Sequence, residues 1–131
     1  MAAFTKFTAF ATDLGLAVHN LNTGEIRCYL SNAAPSAANT VYNTPADLGS
    51  GGGYTARGED TQNTFSAGNC AGTDITWTAT TGFGPFQYAV LFNETAASDQ
   101  LIGWWDYGSA VTLGAGETFK VDFGATMFTV V

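Results

Sequence analysis

Residues 84–124 read GPFQYAVLFNETAASDQLIGWWDYGSAVTLGAGETFKVDFG, and their pattern decides the fold class. Phe86 to Phe92, Leu101 to Tyr107, Val111 to Leu113 and Thr118 to Phe123 are short runs rich in β-branched and aromatic residues. Turn-forming segments separate them: Asn93 to Asp99, and Gly114-Ala-Gly116, which reads as a hairpin turn. Short strands at this spacing, with no helical pattern between them, predict an antiparallel sandwich or barrel. The stretch holds no histidine, no cysteine and no cluster of acids at catalytic spacing.

Trp104-Trp105-Asp106-Tyr107 is the stretch's most suggestive motif, because aromatic rings beside an acid can stack on sugars. Neighbouring residues of a strand point to opposite faces. Trp105 is therefore expected with Leu101 and Tyr107, and Trp104 with Ile102 and Asp106. A strand apolar on both sides is expected to be covered on both sides. One cover would be the opposing sheet, and the other an amphipathic helix or a neighbouring subunit. Trp77, Trp104, Trp105 and Tyr107 are thus candidate core or subunit-contact aromatics, and burial is preferred over a sugar platform.

The pattern continues upstream. Glu25 to Ser31 alternates, with Ile26, Cys28 and Leu30 on one side; Thr64 to Ala67 and Ile75 to Ala79 are further strands, the latter with Ile75, Trp77 and Ala79 on one face. Met127 to Val131 reads as a last strand. Ser31 to Pro45, rich in Asn, Ala and Ser, reads as an ordered arm lying on a surface. Leu48 to Tyr54 reads as the most flexible part, because of its successive glycines Gly51-Gly-Gly53. It lacks the Gly-Lys-Ser/Thr sequel and helix of a phosphate loop, so a surface loop or bulge is preferred.

The N-terminal segment has helical periodicity. Phe4, Phe7, Ala11, Leu14, Val18 and Leu21 recur at spacings of three and four, predicting a helix over about 4–21 packed on the sheet. Asn20, Asn22 and Gly24 form the expected stop. The chain of 131 residues is then a single domain, with this helix and a β-rich body over about 25–131.

Composition narrows the function classes. Charged residues are only 11%, less than half the usual share, so the surface is neutral, small-residued and cheap to desolvate against a neighbour. Eleven acids against Lys6, Arg27, Arg57 and Lys120 leave a net charge of −7. Four scattered cations cannot form the patch that nucleic acid or an anionic membrane surface requires. The start Met1-Ala-Ala-Phe-Thr-Lys6 lacks a basic region followed by an apolar run, so synthesis and retention in a cytoplasm are expected.

Catalytic and metal readings are weak. His19 is the only histidine, and a helix-terminal hydrogen bond explains it better than catalysis. Glu59, Asp60, Asp74, Glu94, Asp99, Asp106, Glu117 and Asp122 are spread along the chain, and no loop matches a defined calcium spacing. No enzyme, cofactor or metal site is expected. Cys28 and Cys70 are two buried thiols on the plain reading. On the sharper one they are a candidate disulfide formed after release into an oxidising medium, worth roughly 4 kcal/mol in the chain-entropy model.

Several segments carry a resemblance: Phe4-Thr-Lys-Phe7, Leu30-Ser-Asn-Ala-Ala-Pro-Ser-Ala-Ala-Asn-Thr-Val41, Gly84 to Asn93, Leu101 to Gly108 and Gly116 to Phe123. Together they look like small accessory virion proteins of tailed bacteriophages. The resemblance covers most of the chain and is strongest in the last third. It implies a compact β-rich capsid decoration or cement subunit without enzymatic residues. Such a subunit binds the outer surface of the major capsid protein as a trimer at local threefold points, on the exterior of the head. The alternative is a tail- or fibre-associated protein recognising host surface glycan through exposed aromatics.

Overall fold

Strands dominate the chain. The computed structural model describes residues 3–130; Met1 and Ala2 of the N-terminal reading and Val131 of the last strand lie outside them. With 45% strand and 9% helical residues, the protein is mainly β, as the alternating runs predict. Among the described residues the strands are β1 (Phe4–Lys6), β2 (Ile26–Ser31), β3 (Glu59–Asp60), β4 (Thr64–Ser66), β5 (Asn69–Ala71), β6 (Ile75–Thr78), β7 (Gly82–Asn93), β8 (Leu101–Gly114), β9 (Thr118–Val121) and β10 (Phe128–Thr129). One helix, α1 (Thr8–Gly15), follows β1, and a short 3₁₀ turn spans Thr44–Ala46.

All strand pairs are antiparallel. A five-stranded sheet has the order β1-β8-β7-β2-β3; β10-β5-β4 and β6-β9 form smaller sheets. The main core lies between them. Ile26, Cys28 and Leu30 of β2, Leu91 of β7 and Trp105 of β8 meet Cys70 of β5, Trp77 of β6, Val121 of β9 and Phe128 of β10 there. The sheets do not close into a barrel. Alternation is realised cleanly in β6, where Ile75 and Trp77 are buried and Thr76 and Thr78 are exposed.

Three expectations are corrected. The helix is much shorter than 4–21. Phe4 to Lys6 instead pair with Trp105 to Gly103 at the sheet edge, and Phe7 is extended. Phe4 and Phe10 do share a target, Phe128, at 5.2 and 5.6 Å, but Phe7 goes to the opposite side of the sheet, 4.5 Å from Trp104. A strand followed by a helix thus reproduces the apolar spacing of one long helix. The helix ends early because Ala17 is left-handed at φ 62°. Asn20 and Gly24 form a separate turn, with Gly24 N–H donating to the Asn20 carbonyl at 2.8 Å.

The second correction concerns Gly114-Ala-Gly116. It is a turn, with Glu117 N–H donating to Gly114 O at 3.0 Å, but not a hairpin between paired strands. β8 continues through Leu113 to pair with β7, whereas β9 crosses to pair with β6. The segment joins two sheets across the core.

The third correction concerns the glycine run. Gly53 is not slack: a Cβ there would lie 2.5 Å from Thr78 O and 2.8 Å from Thr80 N. Gly52 O accepts Thr80 N–H at 2.8 Å. These glycines permit close backbone approach to the end of β6, at φ +64° and +110° for Gly52 and Gly53.

Candidate functional site

The large sheet has two apolar faces, and the second carries the most unusual side-chain arrangement. Alternation from Ile26, Cys28 and Leu30 on the main-core side places Tyr29 on the other side. Val90 and Phe92 of β7, Leu101 of β8 and Phe7 join Tyr29 in a second buried cluster, with Tyr42, Tyr88 and Trp104 partly buried against it.

A bulge sets the faces of β8. Leu91 pairs with Gly103 and Phe92 with Leu101, leaving Ile102 as an extra residue. Below the bulge the alternation is inverted. Ile102 and Trp105 therefore face the main core, and Leu101 and Trp104 the second cluster. This corrects the pairing of Leu101 with Trp105 and of Ile102 with Trp104 drawn from simple alternation. Separation of the two tryptophans holds. Trp105 is 2% exposed, in contact with Phe4 at 4.9 Å and Phe123 at 5.5 Å. Trp104 is half-buried over Phe7. Trp77 lies in the core near Tyr54, their ring centroids 6.2 Å apart. Tyr107 is partly buried against the same core, edge-on to Phe119 at 5.3 Å. Neither Trp77 nor Trp105 offers a stacking surface to solvent.

The second face is covered mainly by residues 32–48, which take in most of the Ser31–Pro45 segment read as an ordered arm. The helix body faces the main core instead, through Phe10, although Phe7 at the helix start contributes to the cover. Thr8 N–H donates to Ala37 O at 2.9 Å, and Leu101 N–H to Thr40 O at 3.0 Å. The arm ends in a buried carboxylate. Asp47 accepts the Tyr42 hydroxyl at 2.5 Å, the Tyr54 hydroxyl at 2.7 Å and Arg57 N–H at 2.6 Å. Tyr54 Oη in turn accepts Leu30 N–H at 3.0 Å, and Leu48 N–H donates to Leu30 O at 3.2 Å. The β2 edge beyond β3 is thus satisfied by the arm and one tyrosine rather than by a strand. Burial, reinforced by the bond to Asp47, raises both Tyr54 and Tyr42 well above the usual tyrosine range.

Beside this carboxylate Arg57 lies over the rings of Tyr42 and Phe92, at 4.8 and 5.1 Å. It pairs with Glu94 at 2.6 Å and Asp99 at 2.9 Å. Arg27 pairs with Glu25 at 2.8 Å and Glu94 at 3.3 Å, and donates to Gly58 O at 2.6 Å. Burial works against the charge of Glu94, but its arginine partners outweigh this and hold the carboxyl below the usual range. Lys6 donates to Thr129 O at 3.0 Å and Lys120 pairs with Asp74 at 3.4 Å. All four basic residues are committed to the protein's own acids or carbonyls.

Between arm and sheet lies an open hollow of about 530 Å³. Tyr29, Phe7 and Leu101 form its floor, and Asn39, Thr40 and Asn43 are among its rim residues.

The remaining candidates are placed simply. Cys28 and Cys70 are both free and buried. Burial pushes the Cys70 thiol up to about 12 and Cys28 further. His19 is 6% exposed. Its Nδ1 lies 3.0 Å from Asn93 Nδ2, while Asn93 Oδ1 accepts Thr95 and Ala96 N–H. That commitment makes the amide the donor and assigns the imidazole as the Nε2–H tautomer. Burial lowers the His19 pKa despite nearby Asp13. Among the described residues, no three His, Cys, Asp or Glu side chains converge as a metal site, and no helix is long and apolar enough to cross a membrane.

Sequence patterning missed the Tyr42–Asp47–Tyr54–Arg57 network, because its members lie in irregular segments with no period. The two tyrosines flanking Asp47 at five and seven residues were the only trace of it. Comparison of the chain with family models, with curated proteins and with solved structures finds no match.

Proposed function

We propose that this protein is a structural virion subunit of a tailed bacteriophage, a decoration or cement protein that binds the outer surface of the major capsid protein as a trimer. The observation that carries the reading is the arm. From Ser31 to Ala46 it contains no charged residue, most of it is exposed, and hydrogen bonds at several points hold it on a rigid sheet. Such a surface loses little hydration on docking and little conformational entropy on ordering. Copies arrayed on one shell would sum modest contacts into strong attachment. The resemblance in the last third supports the same reading. So does the commitment of all four basic residues, which leaves no cluster for DNA. Half-buried Trp104, over Phe7, is the candidate aromatic for a neighbour.

The test is the copy number and position of the protein on purified particles. Hundreds of copies on the head exterior, visible by cryo-electron microscopy beside the major capsid protein, are expected. A handful of copies confined to the tail or one vertex would refute the cement role.

A further inference from the structure

The hollow beneath the arm has features that docking to a shell does not use. Its volume of about 530 Å³ falls within the roughly 300–1,000 Å³ of small-molecule sites. Tyr29 on its floor is 3% exposed. Among the described residues, its hydroxyl has no hydrogen-bond partner, although Tyr42 and Tyr54 both reach Asp47. The ring is buried, but the hydroxyl is not among the sealed unpartnered atoms, so it opens into the hollow and is available to a ligand. Among the described residues Thr40 Oγ1, the Asn43 carboxamide and Asn39 Nδ2 likewise have no hydrogen-bond partner, and all three residues belong to the lining. Tyr42 Oη, donating to Asp47, keeps an acceptor lone pair.

The lining therefore combines aromatic rings, set edge to face at 5.1 Å for Tyr29 and Tyr42, with unpaired hydroxyls and amides. Among the described residues no charged side chain lines it. A ligand matching this must present an apolar face to the rings and several donor–acceptor hydroxyls to the rim, without charge. An anion would lack a cationic partner and would meet a protein of net charge −7. We propose that the hollow binds one neutral sugar unit, with the Tyr29 hydroxyl as the hydrogen-bonding contact on its floor. The site stands apart from the capsid reading and from the tryptophans.

The test is a titration of isotopically labelled protein, followed by its backbone amide NMR signals. The probes are the methyl glycosides of glucose, galactose and N-acetylglucosamine, with glucuronate as the charged control. Each is taken to about 50 mM, well above a millimolar Kd. At least one neutral glycoside should give saturable shifts confined to residues 29–46, and glucuronate should bind more weakly. Tyr29→Phe should weaken binding about fivefold, the usual value of one hydrogen bond. Its thermal midpoint should not fall, since the lost hydroxyl has no partner. Asn43→Ala, on the exposed rim, is the second variant and should also weaken binding. A trisaccharide of the responding sugar separates the sources: tighter binding assigns a glycan end and exclusion a free sugar, and either supports the site. No saturable shift with any neutral glycoside, shifts elsewhere, or wild-type binding by Tyr29→Phe would overturn the proposal. Copy number on particles is unaffected by either result.

Discussion

Replacing Asp47 tests how the arm is held. In Asp47→Ala the Tyr54 hydroxyl, on a side chain only 2% exposed, loses its acceptor, which costs about 1–3 kcal/mol for a buried polar group. Tyr42 opens towards the hollow, where water can replace the carboxylate, and Arg57 N–H is only part-buried. Each of these losses is about 1 kcal/mol or less. Relief from burying a carboxylate offsets part of the sum. We expect a net loss of about 3 kcal/mol, a large share of the roughly 5–15 kcal/mol of a typical domain. Urea unfolding would measure it, and limited proteolysis should show faster cleavage within residues 36–41. Tyr54→Phe should cost less by itself. Because the two changes break the same bond, the double variant should be less destabilised than the sum of the singles by about 1 kcal/mol. A loss below about 0.5 kcal/mol, or strict additivity with Tyr54→Phe, would refute the claim that this carboxylate anchors the arm.

Two further expectations follow from particular contacts. His19 is held neutral, so the unfolded chain takes up a proton that the native state resists; stability should fall as pH drops below the ordinary histidine value of about 6.5. His19→Gln should flatten that slope between about pH 7 and 5 in thermal unfolding, and an unchanged profile would remove His19 as its source. Gly103→Ala would drive a Cβ into the Phe4 ring and to within 2.6 Å of Thr5 O. β1 should detach from β8 at a cost of about 2 kcal/mol, and hydrogen exchange at Phe4 to Lys6 should accelerate while β7 stays protected.

Local pattern was sufficient wherever one face of an element meets one environment. Ile75, Trp77 and Ala79 alternate with exposed threonines, and their burial follows from period two alone. The same logic separated Trp104 from Trp105 and required two covers for β8. It failed where local periods are degenerate. Phe4, Phe7 and Phe10 satisfy a helical spacing equally well as a strand, an extended residue and a helix, and only the unpaired β8 edge selected the second arrangement. One bulged residue, Ile102, then exchanged the faces of Leu101 and its neighbours without leaving any mark in composition.

The sequence by itself determined that this is an antiparallel β protein with a neutral, small-residued surface and few cations, because periodicity and composition are properties of the chain. Tertiary structure alone decided what covers the second face, which tryptophan enters the core, and where the unpaired groups lie. Those depend on contacts between residues far apart in sequence. Asp47 meets Leu30 through Tyr54, Arg57 meets Glu94 and Asp99, and Tyr29 lies beneath an arm it precedes. Such meetings are selected by the whole fold's packing, which no window of sequence contains.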